Sequence, residues 1–128
     1  MLRGVVLIDF DGTIVEHCFP KIGMPLPGAF ETMKDLKAAG YKLVLWTCRE
    51  DYGFLIEKQY LSQAVKFCAD NGIEFDGVNE TLEEHEFRPE DCIKRKPYAH
   101  YHIDDRNLGG FPGWHWVREL LLPSANNS

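Results

Sequence analysis

The chain has 128 residues, 45% of them hydrophobic and 27% charged, the proportions of an ordinary soluble domain with one core. Fourteen basic against twenty acidic residues leave a net charge of −6, which repels polyanions at long range and argues against a general nucleic-acid binder. No apolar stretch approaches the roughly 18 to 20 residues of a membrane span, and residues 5–8 are too short for a signal-peptide core. The expectation is a cytoplasmic protein that makes no use of a membrane.

In chain order, residues 4–10 (GVVLIDF) form a Val/Leu/Ile-rich run, continuous up to Asp9, that predicts a strand buried on both faces. Residues 14–26 carry Pro20, Gly23 and Pro25 and predict an irregular excursion. A helix is expected from about Pro27, with Phe30, Met33 and Leu36 on one stripe and Gly40 as the stop. Residues 41–47 predict a second buried strand. Residues 52–71 predict a helix with Leu61, Val65 and Cys68 on one face and Gly72 at its end. Residues 73–78 predict a weak third strand, 99–103 a fourth and 114–122 a closing helix, with Phe111, Trp114 and Trp116 packing it against the sheet. Strands alternating with helices imply an α/β fold of βαβ units around a central parallel sheet. No repeat or linker divides the chain, so one domain over residues 1–128 is expected.

In open α/β sheets ligands bind at the carboxyl edge of the strands. The first predicted strand ends in Asp9-Phe10-Asp11, the second in Thr47 and the fourth in Asp104-Asp105. An isolated DxD is by itself most simply a pair of solvated turn acids, and an acidic pair is most simply a cap or turn. Both at strand ends, with Thr47 between them, point instead to one shared site. Acids crowded at one edge repel one another unless a cation neutralises them, and all-oxygen ligands suit magnesium. Cys18, Cys48, Cys68 and Cys92 stand far apart without a CxxC pair and read as buried or idle thiols. His85, His100, His102 and His115 are assigned no chemical role, since no helix carries an HxxxH pair.

The segment LIDFDGTIVEH, residues 7–17, resembles the first motif of the haloacid dehalogenase superfamily of phosphohydrolases, with Asp9, Asp11 and Thr13 filling DxDx[T/V]. Thr47 is similar to the second motif and Asp104-Asp105 to the fourth. The third is a lysine, for which KRKP offers Lys94 and Lys96, with Lys96 preferred. The resemblance implies a three-layer Rossmann-like domain and a magnesium-dependent phosphatase. It implies that Asp9 attacks phosphorus to form an aspartyl-phosphate and that Asp11 acts as general acid, then general base. Magnesium would be held by Asp9, the Asp11 carbonyl and Asp104, with Asp105 orienting its waters or binding it directly. Thr47 and Lys96 would bind the phosphate.

Arg49 and Arg106 flank motif positions and are candidate contacts to a substrate anion, the alternative being an arginine paired with a neighbouring acid. In the resembling family the segment after the first motif forms a flap, which brings Glu16, His17 and Lys21 beside the substrate. Neither gap between motifs has room for a cap domain, so a capless member is expected. An open site suits a phosphorylated macromolecule or lipid-linked sugar, or a small metabolite if a second subunit closes it. Two rival readings are a phospho-receiver without enzymatic activity and a phosphotransferase. The receiver accounts poorly for Asp11 and for the order of the motifs along the chain.

Overall fold

The computed structural model describes residues 3–52, 58–82, 99–106 and 108–122. They form strands β1 (Gly4–Asp9), β2 (Tyr41–Trp46), β3 (Gly77–Val78) and β4 (Tyr101–Ile103) and helices α1 (Ala29–Ala38), α2 (Tyr60–Asp70) and α3 (Trp114–Leu121). The strands make one sheet in the order β3-β2-β1-β4, parallel throughout. This is the Rossmann-like α/β fold expected from the alternation of strands and helices.

A parallel sheet buries both faces, which is why β1 reads as an unbroken apolar run. Val5, Val6 and Ile8 are wholly inaccessible. Val6, Ile8, Leu43 and Leu45 point to the face covered by Met33 and Leu36 of α1, Ala64 and Cys68 of α2, and Trp114 and Val117 of α3. Val5, Leu7 and Val44 point to the other face and pack with Leu82, Trp46 and Ala99. The alternation of faces along each strand follows from the two-residue period of a pleated chain.

α1 opens at Gly28, whose φ of +79° suits a residue without Cβ, and the chain turns out of the helix through Gly40 at φ +105°. The expected third strand is shorter than residues 73–78: only Gly77 and Val78 pair with β2, because Asp76 turns its carboxylate to the Leu43 amide at 2.8 Å. The helix expected over 52–71 is observed as Tyr60–Asp70; residues 53–57 lie outside the described residues. In α3 the buried positions are Trp114, Val117 and Leu121, at helical spacing, while Trp116 is 57% exposed. The expectation that Trp116 packs on the sheet is corrected accordingly: two residues past Trp114 it falls on the opposite side of the helix.

Two buried hydrogen bonds tie α3 to the sheet. The Trp114 indole Nε1 donates to the Thr13 carbonyl at 2.7 Å, and the Tyr41 hydroxyl donates to the Leu121 carbonyl at 2.8 Å. The first of these pins the turn that follows β1, where the candidate site begins. No helix among the described residues is long and apolar enough to cross a membrane.

Candidate active site

β1 is the place where the strand order reverses, with β2 on one side and β4 on the other. Such a switch point opens a crevice outside the carboxyl ends of the strands. The register sets its contents: Asp9 is opposite Trp46, and Ile8 is opposite Ile103. Thr47 and Asp104 are therefore the next residues to leave the sheet on either side of Asp9. A cleft of about 410 Å³ lies here, lined by Asp9, Asp11, Thr47 and Asp105. Its mouth is formed by His17, Phe19, Cys48, Arg49, Tyr52 and Arg106.

The chain leaves β1 in a tight turn. The amides of Thr13, Ile14 and Val15 all donate to the Phe10 carbonyl, and Gly12 donates to the Val15 carbonyl at 2.8 Å. Gly12 has φ +85°, and a Cβ on it would come within 2.1 Å of Asp105 Oδ2. Only glycine admits the Asp105 carboxylate this close. Beyond the turn, residues 14–26 fold back as a flap, held by Glu16 donating to Met24 at 2.8 Å and Leu26 donating to Ile14 at 2.8 Å. His17 and Lys21 are exposed on this flap, with His17 at the cleft.

Asp9 sits among like charges. Burial, followed by Asp105 and then Asp104 and Asp11, pushes its carboxyl from the ordinary 3.8 up to about 7, against the pull of a hydrogen bond from the Phe10 backbone. The fully buried Thr13 hydroxyl donates to Asp9 Oδ2 at 3.4 Å, a long contact that braces rather than neutralises it. Of the acidic pair, Asp105 lines the cleft and acts on Asp9 more strongly than Asp104 does. Asp104 Oδ1 accepts the Arg106 amide at 3.0 Å, closing a turn that also sets the direction of Asp105.

Thr47 is 5% exposed and fixed from two sides. Its amide donates to Asn79 Oδ1 at 2.9 Å, and its hydroxyl oxygen accepts the Arg49 amide at 3.1 Å. With the oxygen used as acceptor, the hydroxyl proton is the group it presents to a ligand. Asn79 was not singled out from the sequence. Its φ of +54° at the end of β3 identifies it in the structure as a shaped turn residue, and Asn is the type most tolerant of that conformation.

Arg49 is paired with an acid, as one of its two readings had it, but the acid is Asp11 and the pair is buried rather than on the surface. It is 2% exposed, with Nε donating to Asp11 Oδ2 and Nη2 to Asp11 Oδ1, each at 2.8 Å. Nη2 also reaches the Lys21 carbonyl at 2.9 Å, and Nη1 reaches that of Pro20 at 3.3 Å. The Phe10 and Phe19 rings lie 5.0 and 5.1 Å from the guanidinium carbon. Four of its five N–H donors are thus committed within the protein. Arg106, by contrast, is exposed and lines the cleft.

Lys94 and Lys96 lie outside the described residues, as do His85 and Cys92. His100 has a structural part: its Nδ1 accepts the Val5 amide at 2.9 Å, extending the edge of the sheet. Cys68 is buried, and burial pushes its thiol up to about 12, while Cys18 and Cys48 are exposed.

Among the described residues no group of three His, Cys, Asp or Glu side chains is placed to hold a metal ion. The Asp11 carboxylate is occupied by Arg49, which leaves the main-chain carbonyl, the Asp11 group expected as a ligand, unaffected by that pair. The remaining donors, Asp9, Asp104 and Asp105, are hard oxygens, and the Asp9 carboxyl is raised first by burial and then by the charges of Asp105 and Asp104. This donor set fits a hard divalent cation in charge and chemistry.

No protein-family model matches the chain, and no curated protein matches it. Among solved structures, a conserved protein from Bacteroides thetaiotaomicron superposes with a TM-score of 0.76 at 37% sequence identity, covering 91% of this chain and 88% of that one. The chain belongs to the same family as that conserved protein.

Proposed function

We propose that the chain is a magnesium-dependent phosphohydrolase that cleaves a phosphate monoester through an aspartyl-phosphate on Asp9, in the manner of the haloacid dehalogenase superfamily. The observation that carries this reading is the position of Asp9: a partly buried carboxylate at the end of the central strand, crowded by Asp105 and Asp104, with the Thr47 hydroxyl across the register.

Asp9 attacks phosphorus while the leaving oxygen takes a proton from Asp11, which must first take that proton up from solvent against the pull of the Arg49 ion pair. Asp11 then removes a proton from the water that hydrolyses the acyl phosphate. The Thr47 hydroxyl donates to a phosphate oxygen, with Asn79 holding its backbone in place. Asp9, the Asp11 carbonyl, Asp104 and Asp105 are the groups that would hold magnesium, which when bound neutralises the charge between carboxylate and phosphate. Lys96 is assigned the remaining phosphate contact, with Arg106 at the mouth as a contact to the rest of the substrate.

The test is hydrolysis of p-nitrophenyl phosphate with magnesium and with excess chelator, for wild type and Asp9→Asn. Release that requires both magnesium and Asp9 supports the reading. Release that persists in Asp9→Asn rejects the covalent route. Stable labelling of Asp9 by acetyl phosphate without turnover would favour a phospho-receiver.

A further inference from the structure

We infer, on the phosphohydrolase reading of the site, that its substrate is a small phosphate monoester whose leaving group carries a flat aromatic ring. The ring is received by Phe19 and Tyr52 at the mouth of the cleft.

The acids and Thr47 read only a phosphate and a cation, so what tells one ester from another must lie where the leaving group does. A cleft of about 410 Å³ is within the range of small-molecule sites, and a phosphate fills only part of it. Aromatic side chains from three parts of the chain meet at its mouth. They are Phe19 of the flap, Tyr52 of the segment after β2 and Tyr60 of the first turn of α2. Tyr60 meets the other two edge to face, with centroids 5.3 Å from Phe19 at 66° and 5.8 Å from Tyr52 at 68°. Phe19 and Tyr52 line the cleft and stay 46% and 47% exposed. One large apolar side chain half in water needs no explanation; two held together at the mouth of one cleft do.

Both rings are fixed before a ligand arrives. The Arg49 guanidinium carbon lies 5.1 Å from the Phe19 centroid, and Arg49 also donates to the carbonyls of Pro20 and Lys21 that follow Phe19. The Tyr52 amide donates to the Lys58 carbonyl at 3.1 Å. Its neighbour Asp51 accepts the Ser62 amide at 2.9 Å, which ties this segment to α2. A ligand ring therefore docks without first ordering its receptor. Arg106 lines the same cleft, and a guanidinium also favours the face of a π system. A saturated ring of equal size would bury similar area without the stacked or edge-to-face contact. A bare sugar brings hydroxyls that the Phe19 ring cannot hydrogen-bond.

The experiment compares kcat/KM with magnesium within two pairs, each matched in its phosphate-bearing primary alcohol. One pair is benzyl phosphate against cyclohexylmethyl phosphate; the other is adenosine 5′-monophosphate against ribose 5-phosphate. Wild type should favour the aromatic member of at least one pair by about tenfold. The first pair sets the ring beside the phosphate and the second sets it one sugar away, so the pair that responds tells an aryl alcohol from a nucleoside. Phe19→Leu and Tyr52→Leu keep apolar bulk and lose the ring, and each should cut that preference by about threefold. A folding defect lowers both members of a pair alike and leaves their ratio unchanged. A preference below about twofold in both pairs, or one that neither variant lowers, overturns the inference and leaves the phosphohydrolase intact. Wild type that hydrolyses none of the four overturns both.

Discussion

Asp9 and Asp11 are two residues apart on one side of the same strand end, yet they live in opposite electrostatic settings. Asp9 faces Asp105 and Asp104 and carries a carboxyl raised to about 7 by burial and by those neighbours. Asp11 faces Arg49, a buried cation that the chain itself supplies. The flap side of the cleft thus pairs its acid with a cation of the chain's own, while on the β4 side Asp9 meets the like charges of Asp105 and Asp104. A buried ion pair with four hydrogen bonds to fixed acceptors holds its geometry; crowded like charges instead push the buried Asp9 toward its protonated form.

The sharpest way to break this contrast is to neutralise Asp9. Asp9→Asn should lower kcat on any phosphate monoester by at least about 10³-fold, the scale for loss of a covalent nucleophile, with the fold retained by circular dichroism. A smaller loss would move the nucleophile elsewhere. Next in size is Gly12→Ala. The new Cβ would meet Asp105 Oδ2 at 2.1 Å in a backbone of positive φ, so the acid must swing away. Activity should fall about tenfold or more and unfolding free energy by about 1–3 kcal/mol, read by kinetics and urea titration.

A subtler prediction concerns pH. Folding raises the Asp9 carboxyl from 3.8 to about 7, so the folded state favours its protonated form. The stability this contributes is fully present below pH 3.8 and is lost as pH rises through about 7. In urea titrations without divalent metal, wild type should lose stability across that window more steeply than Asp9→Asn. Saturating magnesium should remove the difference, because a bound cation favours the carboxylate. A wild type that tracks Asp9→Asn at every pH would show that the acids are not crowded in solution. The smallest effect is expected far from the cleft: Arg118→Ala breaks an exposed pair with Asp35 at 2.6 Å and should change unfolding free energy by less than about 1 kcal/mol with activity unchanged.

Much of this was legible in the sequence because it rests on local signals. The apolar run of residues 4–8 demands a strand buried on both sides, and Gly40 marks the end of the helix that precedes β2. Acids and a hydroxyl at strand ends then had to share one edge, since parallel strands all finish on the same side of a sheet. The weak third strand was overestimated because Asp76 spends its side chain on the Leu43 amide, a choice no periodicity reveals.

The sequence by itself determined the α/β class, the strand ends that carry Asp9, Thr47 and Asp105, and the candidate chemistry of that set. Only the tertiary structure decided which charges meet. Arg49 lies 38 positions from Asp11 and could be read equally as a contact to a substrate anion or as the partner of an acid; chain folding buried it under two aromatic rings and gave it to Asp11. The same holds for Asn79 behind Thr47 and for the greater weight of Asp105 over Asp104. The physical reason is that a strand's character follows from its own few residues, whereas an ion pair depends on the register of strands and the path of a flap between them.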